Sequence, residues 1–313
     1  MEKAVLVLEG GAMRSLYTSG VLDVLMDNNI EIECTVGVSA GALTGSNYVS
    51  KQRGRTANIN IEYCNDPKYI GVKAIKNNKG LVGFDYLFGE ISQYKVPFDE
   101  KTFNESKQKF FVGATNCLTG KTEFFEKGQL DIYKILQASS SMPIVSNIVE
   151  IQGNPYLDGA IECNIPIEWA MQQGYNKIVV VLTRDKDYKK EELSNNMRKI
   201  YGIRYKKYPE LVKTICNKPA KYNKTVEEIN KLEKEGKIFV IRPQKPIEVS
   251  RLEKDKEKLQ ELYKQGLTEM NEQLDNLKKY LADWEHFSQS FFLVTIYFFR
   301  KLWYHIYVKK ERW

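Results

Sequence analysis

Histidine is nearly absent from this chain. There are two, His286 and His305, and both stand close to its end. A hydrolase that relied on an imidazole base would have to bring one of them back to its nucleophile. Paired cysteines are absent too: Cys34, Cys64, Cys117, Cys163 and Cys216 are odd in number, far apart and form no C-x-x-C. Free thiols are expected, and neither a disulfide framework nor a zinc site. No G-x-G-x-x-G and no G-x-x-x-x-G-K-[ST] occurs, which argues against a dinucleotide fold and a P-loop. No oxygen-rich calcium loop is present, so neither a metal nor a cofactor is expected. The longest apolar run, 291–299, falls well short of the ~20 residues a spanning helix needs. The first apolar stretch is too short for a signal-peptide core, so a cytoplasmic location is expected.

The chain does have the makings of a large globular core. Its 313 residues suit one large α/β domain with an appendage. The net charge of +7 is mild, and no nucleic-acid module accompanies it. An anionic membrane surface suits it equally.

Residues 4–8 form a continuous apolar run, the pattern of a strand buried on both faces of a parallel sheet. Glu9-Gly10-Gly11-Ala12-Met13-Arg14-Ser15 follows, then a helix with Leu16, Val21, Val24 and Leu25 on one face. A glycine-rich turn before a helix presents free N–H groups to negative charge, either a phosphate or an oxyanion. A second strand, 32–36, leads into Gly37-Val38-Ser39-Ala40-Gly41 and a small-residue helix. G-x-S-x-G between strand and helix is the setting of a nucleophile elbow. The plain alternative is a tight βα turn with a structural serine. Adjacent strands would open both turns on one carboxyl edge.

Residues 56–99, rich in glycine, asparagine and aromatics, suit irregular core packing or, alternatively, an apolar wall or lid for an acyl chain. Strands 110–117 and 122–125 are predicted as a hairpin around Thr119-Gly120. Asp131 caps a helix that Ser139, Ser140, Ser141, Met142 and Pro143 end. Strand 148–151 and a turn lead to Tyr156-Leu157-Asp158-Gly159-Ala160, where Asp158 can sit at a strand end with its carboxylate free. Pro166 opens a helix running to Gly174, and 177–183 is another buried strand. From 184 to 237 lysine, tyrosine, asparagine and glutamate predominate, which predicts charged surface helices with a solvated basic face. A short strand, 239–242, and two helices, 250–266 and 267–284, follow. The tail, 286–313, crowds aromatics beside Arg300, Lys301, Lys309, Lys310 and Arg312. That composition suits a membrane interface, or a helix docked on the body or on a second subunit.

A serine hydroxyl needs a base. The order Ser39, Asp158, His286 mimics that of an α/β-hydrolase triad. Such an elbow usually follows several strands, however, and one precedes it here. The alternative is Asp158 itself, whose ordinary pKa of about 3.9 burial beside Ser39 would raise.

Taken together and in order, the Gly10-Gly11 motif, Gly37-Val38-Ser39-Ala40-Gly41 and Asp158-Gly159-Ala160 resemble the patatin-like phospholipase family. The resemblance covers about residues 4–185. The helical part to about 285 is similar to the C-terminal extension of bacterial members, and the tail resembles nothing comparable. The resemblance implies a three-layer α/β/α sandwich around a mainly parallel sheet with a helical C-terminal extension. Its divisions would be a catalytic core at 1–185, a last strand and helices at 186–285, and the tail at 286–313. It implies Ser39 as nucleophile and Asp158 as general base. Backbone N–H groups of Gly10, Gly11, Ala12, Met13 and Arg14 would form the oxyanion hole, and Gly37, Gly41 and Gly159 are the motif glycines. The implied reaction is hydrolysis of a lipid or other fatty acyl ester without metal or cofactor. No nucleic-acid partner is implied, and the tail would allow peripheral association with the inner face of the membrane. Acyl transfer to an alcohol, a non-catalytic membrane- or partner-binding role and nucleotide binding at the Gly10-Gly11 turn are the alternatives. Two residues depart from the family's usual G-G-G-x-R/K-G: Ala12 replaces the third glycine and Ser15 the last. Alanine keeps its N–H, so the hole is expected to survive if φ at Ala12 is negative. Arg14 keeps the basic position.

Overall fold

A computed structural model describes residues 1–78 and 80–303. The strands are β1 (Glu2–Leu8), β2 (Ile32–Val38), β3 (Lys109–Asn116), β4 (Thr122–Glu126), β5 (Val149–Ile151), β6 (Asn154–Asp158), β7 (Ile178–Val181) and β8 (Phe239–Ile241). They form one sheet. In it β3, β2, β1, β7 and β8 lie side by side and parallel, while β4 and β6 run antiparallel to β3, and β5 to β6. The helices are α1 (Ser15–Asp27), α2 (Ala40–Val49), α3 (Arg55–Tyr63), α4 (Val72–Asn78), α5 (Glu100–Glu105), α6 (Ile132–Ser140), α7 (Ile167–Met171), α8 (Asn195–Arg204), α9 (Pro209–Lys234) and α10 (Lys256–Trp303). A π-helical turn, Tyr86–Lys95, interrupts the irregular 64–99 stretch.

The alternation along the central strands builds the layers. Val5, Val7, Cys34 and Val36 face one side, packed with Ile167 and Ala170 of α7 and with Tyr222, Val226 and Ile229 of α9. Leu8, Thr35 and Phe110, of the opposite parity, face α2 at Gly45. With both faces covered, β1 from Ala4 onward and all of β7 are apolar, and each buried aliphatic side chain contributes about 1.5–3 kcal/mol. The expected three-layer arrangement around a mainly parallel sheet is the one observed.

One expected boundary is absent. Gly266 does not separate two helices but lies inside α10. A Cβ there would stand 2.2 Å from the Tyr17 carbonyl oxygen, and one on Gly20 would stand 2.4 Å from that of Tyr263. The glycines are where α1 and α10 cross backbone to backbone, not where a helix stops. These packing relations lie within one compact unit, Met1–Glu272.

Strand β3 sets the geometry of the site. Phe111 to Thr115 pair with β4 along one edge. The other edge is shared end to end: β2 occupies it up to Val38↔Gly113, and β6 takes over at Ala114↔Asp158. The residue after β2 and the last residue of β6 are thereby brought together, although they are far apart in the chain.

Among the described residues no helix is long and apolar enough to cross a membrane. The side chains of the 286–313 tail, His286 and His305 included, lie outside the described residues, and so do the readings built on them.

Candidate active site

Ser39 sits between β2 and α2 with φ 52° and ψ −130°. A non-glycine residue held there stores on the order of 1–3 kcal/mol of strain, so its neighbours must over-determine it. They do. Its N–H donates to Ser139 Oγ at 2.8 Å, and Ser139 Oγ donates to the Gly113 carbonyl at 2.7 Å. Its carbonyl accepts the N–H groups of Ala42 and Leu43 in the first turn of α2. Gly41 lets that turn pass β1, since a Cβ there would stand 2.6 Å from the Glu9 carbonyl oxygen. Gly37 is close-packed in the same way against Ala42.

The Ser39 hydroxyl donates to Asp158 Oδ2 at 2.9 Å. The other oxygen, Oδ1, accepts the Ala160 N–H at 2.8 Å, while the Asp158 N–H is held by the Ser141 carbonyl. Gly159 completes the turn: a Cβ there would stand 2.1 Å from the Gly113 oxygen. Asp158 is 5% exposed. Burial raises its pKa, against the opposing pull of Lys218, the Ala160 N–H, Ser39 and Arg251. A carboxylate so placed is a better proton acceptor than an exposed one. The serine run at the end of α6, anticipated only as a helix stop, therefore holds the backbone of both members of the pair. Nothing in three consecutive serines signals that role.

In the glycine-rich loop the condition set on Ala12 is not met. Its φ is +51°, not negative, so alanine occupies the left-handed position that glycine adopts freely. Ser15 Oγ donates to the Ala12 carbonyl at 2.8 Å, so one departure from the family pattern braces the other. Three of the five expected oxyanion donors are engaged elsewhere. The N–H of Gly10 bonds the Asn164 carbonyl, that of Arg14 the Gly11 carbonyl, and that of Met13, at 3.4 Å, the Arg251 carbonyl. The N–H groups of Gly11 and Ala12 have no partner among the described residues. Gly10 instead contributes its missing side chain, because a Cβ would come 3.3 Å from that of Ser39. Buried Glu9 anchors the loop, accepting from Asn164, Tyr222 and both the N–H and Oγ of Thr183.

Ser39 forms part of the wall of two cavities. One is apolar, with Leu43, Ile59, Val82, Phe88, Phe98 and Leu136 in its lining. Several of these come from 56–99, so that stretch supplies an apolar wall as well as core packing. The other cavity, of about 410 Å³, also holds Asp158 and carries Arg14, Lys190, Lys218 and Arg251. Burial lowers Lys218 to about 8, with Asp158 opposing and Arg251 and Arg14 reinforcing the shift. Burial, then Arg184, lowers Arg14 to about 10. The 184–237 stretch is thus not a uniformly solvated face. Lys218 stands three residues after Ile215 and four before Tyr222, on the buried stripe of α9, and that spacing was its one signal.

The family model for patatin-like phospholipases matches residues 6–171. A second, for a domain of unknown function (DUF6363), matches residues 208–282. An uncharacterised Escherichia coli K12 protein, YjjU, is 26% identical over 270 residues, covering 84% of this chain and 75% of that protein. A probable lipid hydrolase, 463L, of invertebrate iridescent virus 6 is 25% identical over 264 residues, covering 74% of this chain and 89% of that one. Among solved structures, VipD from Legionella pneumophila aligns with 88% of this chain and 67% of its own, at 12% identity and a TM-score of 0.42.

Proposed function

Since the chain belongs to the patatin-like phospholipase family, we propose that it hydrolyses fatty acyl esters of lipids with Ser39 as nucleophile and Asp158 as base. The observation that carries this reading is the 2.9 Å hydrogen bond from Ser39 Oγ to Asp158 Oδ2. Asp158 accepts the hydroxyl proton as Ser39 Oγ attacks the acyl carbonyl carbon. The oxyanion that forms is met by the N–H groups of Gly11 and Ala12, whose hydrogen bonds the fold leaves unused. Asp158 returns the proton to the departing alkoxide oxygen, leaving an acyl-enzyme. A water then gives its proton to Asp158 and attacks the same carbon. Ser39 recovers a proton as the fatty acid leaves. The acyl chain lies in the apolar cavity beside Ser39. No step draws on an imidazole.

A fluorophosphonate probe tests the nucleophile and the base together. Wild type is expected to label and Ser39→Ala not at all. Labelling of Asp158→Asn should slow on the order of 10⁴-fold. A folded wild type that fails to label in the presence of detergent sinks the reading.

A further inference from the structure

Of the charges that line the cavity of about 410 Å³ beside Ser39, Lys218 and Arg251 bear on Asp158, but ester hydrolysis alone does not call for so many. Arg14, Arg184, Lys190, Lys218 and Arg251 all border it. Among the described residues, none of them forms an ion pair. Three acids, Glu9, Asp158 and Glu191, border the cavity with these five cations and offset them only in part. Glu9 is engaged by neutral donors, Asp158 is bound to Ser39 and the Ala160 N–H, and Glu191 is exposed. Arg14 is only 8% exposed, and its Nε has no hydrogen-bond partner. Lys190 Nζ lies 3.5 Å from the centroid of the Tyr222 ring, and the Arg184 guanidinium lies 4.3 Å from that of Tyr188. Lys190 is pushed well below its ordinary pKa, by burial first and then by Lys218, with Glu9 opposing and Arg251 and Arg14 adding to the shift. An unpaired buried guanidinium is costly, and gathering more cations around it adds to the cost unless an anion enters.

We propose that this cavity binds a phosphate monoester carried by the acyl ester itself, so that the preferred substrate is a net-anionic lipid of the lysophosphatidate class. The assignment rests on the Ser39 hydrolase reading. Ser39 borders both cavities, so one ester can place its acyl chain in the apolar cavity and its head group among the cations. A phosphate monoester carries close to two negative charges at neutral pH and accepts bidentate hydrogen bonds from guanidinium. A quaternary ammonium head group would meet like charge there. A neutral glycerol would leave the cations as they are.

The test compares lysophosphatidate with monoacylglycerol of the same acyl chain. Wild-type kcat/KM should favour lysophosphatidate by about 100-fold. In the Lys190→Gln, Arg184→Gln double variant, whose residues border the basic cavity and not the apolar one, that ratio should collapse towards one, chiefly through KM for lysophosphatidate. Equal hydrolysis by wild type, or a variant that lowers both substrates alike, overturns the proposal. Inorganic phosphate identifies the source of the anion. Competitive inhibition against lysophosphatidate assigns the cavity to the head group; equal modulation of both substrates makes it a site for free phosphate and overturns the assignment. Calorimetry on Ser39→Ala separates the two readings. Lysophosphatidate should bind this variant and fail to bind when Lys190→Gln and Arg184→Gln are added. A wild type that labels with fluorophosphonate while Ser39→Ala binds no lysophosphatidate removes the anion site and leaves the hydrolase. Binding without labelling does the reverse.

Discussion

The two cavities that meet at Ser39 are built in opposite ways. The apolar one draws on residues between Ala12 and Met142, with Arg251 and Leu252 joining from the loop before α10. Leu43, Ile59, Val82, Phe84, Leu87 and Phe88 dominate its apolar wall, with Arg55, Asn47 and Asn60 among its polar members. The basic one gathers Glu9, Arg14, Asp158, Arg184, Lys190, Lys218 and Arg251 from across the fold. Hydrophobic burial is non-directional and tolerates many arrangements. A set of unpaired cations is tolerated only where something offsets the repulsion. The difference suggests that the apolar side accepts a range of chains, whereas the basic side selects.

Three changes break or sharpen this contrast beyond the labelling and head-group tests. The largest effect is expected from filling the apolar cavity. Leu43 lies on α2 beside Ser39 and lines that cavity. Leu43→Trp should cut kcat/KM for a dodecanoyl ester by about 100-fold while a butyryl ester loses far less. Equal losses for both chains would mean the acyl group lies elsewhere.

A smaller effect, about tenfold, is expected from pH. On the acid side both substrate classes should lose rate together. Asp158 must be unprotonated to accept the Ser39 proton, and burial raises its pKa, so the rate falls as pH drops through that raised value. On the alkaline side the classes should part. Lys218 lies among Asp158, Lys190, Arg251 and Arg14; burial lowers its pKa to about 8, and it loses its charge as pH rises through that value. Hydrolysis of lysophosphatidate should then decline between neutral pH and about 9.5, while that of monoacylglycerol holds. Identical alkaline limbs in the two profiles would separate Lys218 from head-group binding.

The smallest effect concerns the oxyanion loop that both cavities share. Ala12 at φ +51° carries left-handed strain of about 1 kcal/mol or more. Glycine removes the strain but loses about 0.5 kcal/mol through the freer unfolded chain. Ala12→Gly should therefore gain less than about 1 kcal/mol in urea unfolding, with fluorophosphonate labelling kept. A clear loss of stability would mean that the freedom glycine gives the unfolded chain outweighs the strain it relieves.

Much of the fold and site was legible because the signals are local. Val5, Val7, Val179 and Val180 sit in runs that only a doubly covered strand explains. The glycines at 37 and 41 mark a strand-to-helix turn with a serine at its apex. Gly266 misled because a glycine in a helical pattern signals a stop or a close contact equally well, and only the Tyr17 carbonyl distinguishes them. Ala12 misled because the identity of a residue does not state its φ.

Ordered motifs and the near absence of histidine narrowed the candidate chemistry to Ser39 and Asp158 before any coordinates, since side-chain type and backbone period are properties of neighbouring residues. Their meeting was decided elsewhere. It depends on β6 taking the edge of β3 where β2 leaves it, a register between strands more than a hundred residues apart in the chain. The basic cavity was decided the same way. Coulomb interactions act through space, and only the folded chain brings Arg14, Lys218 and Arg251 close enough to shift one another.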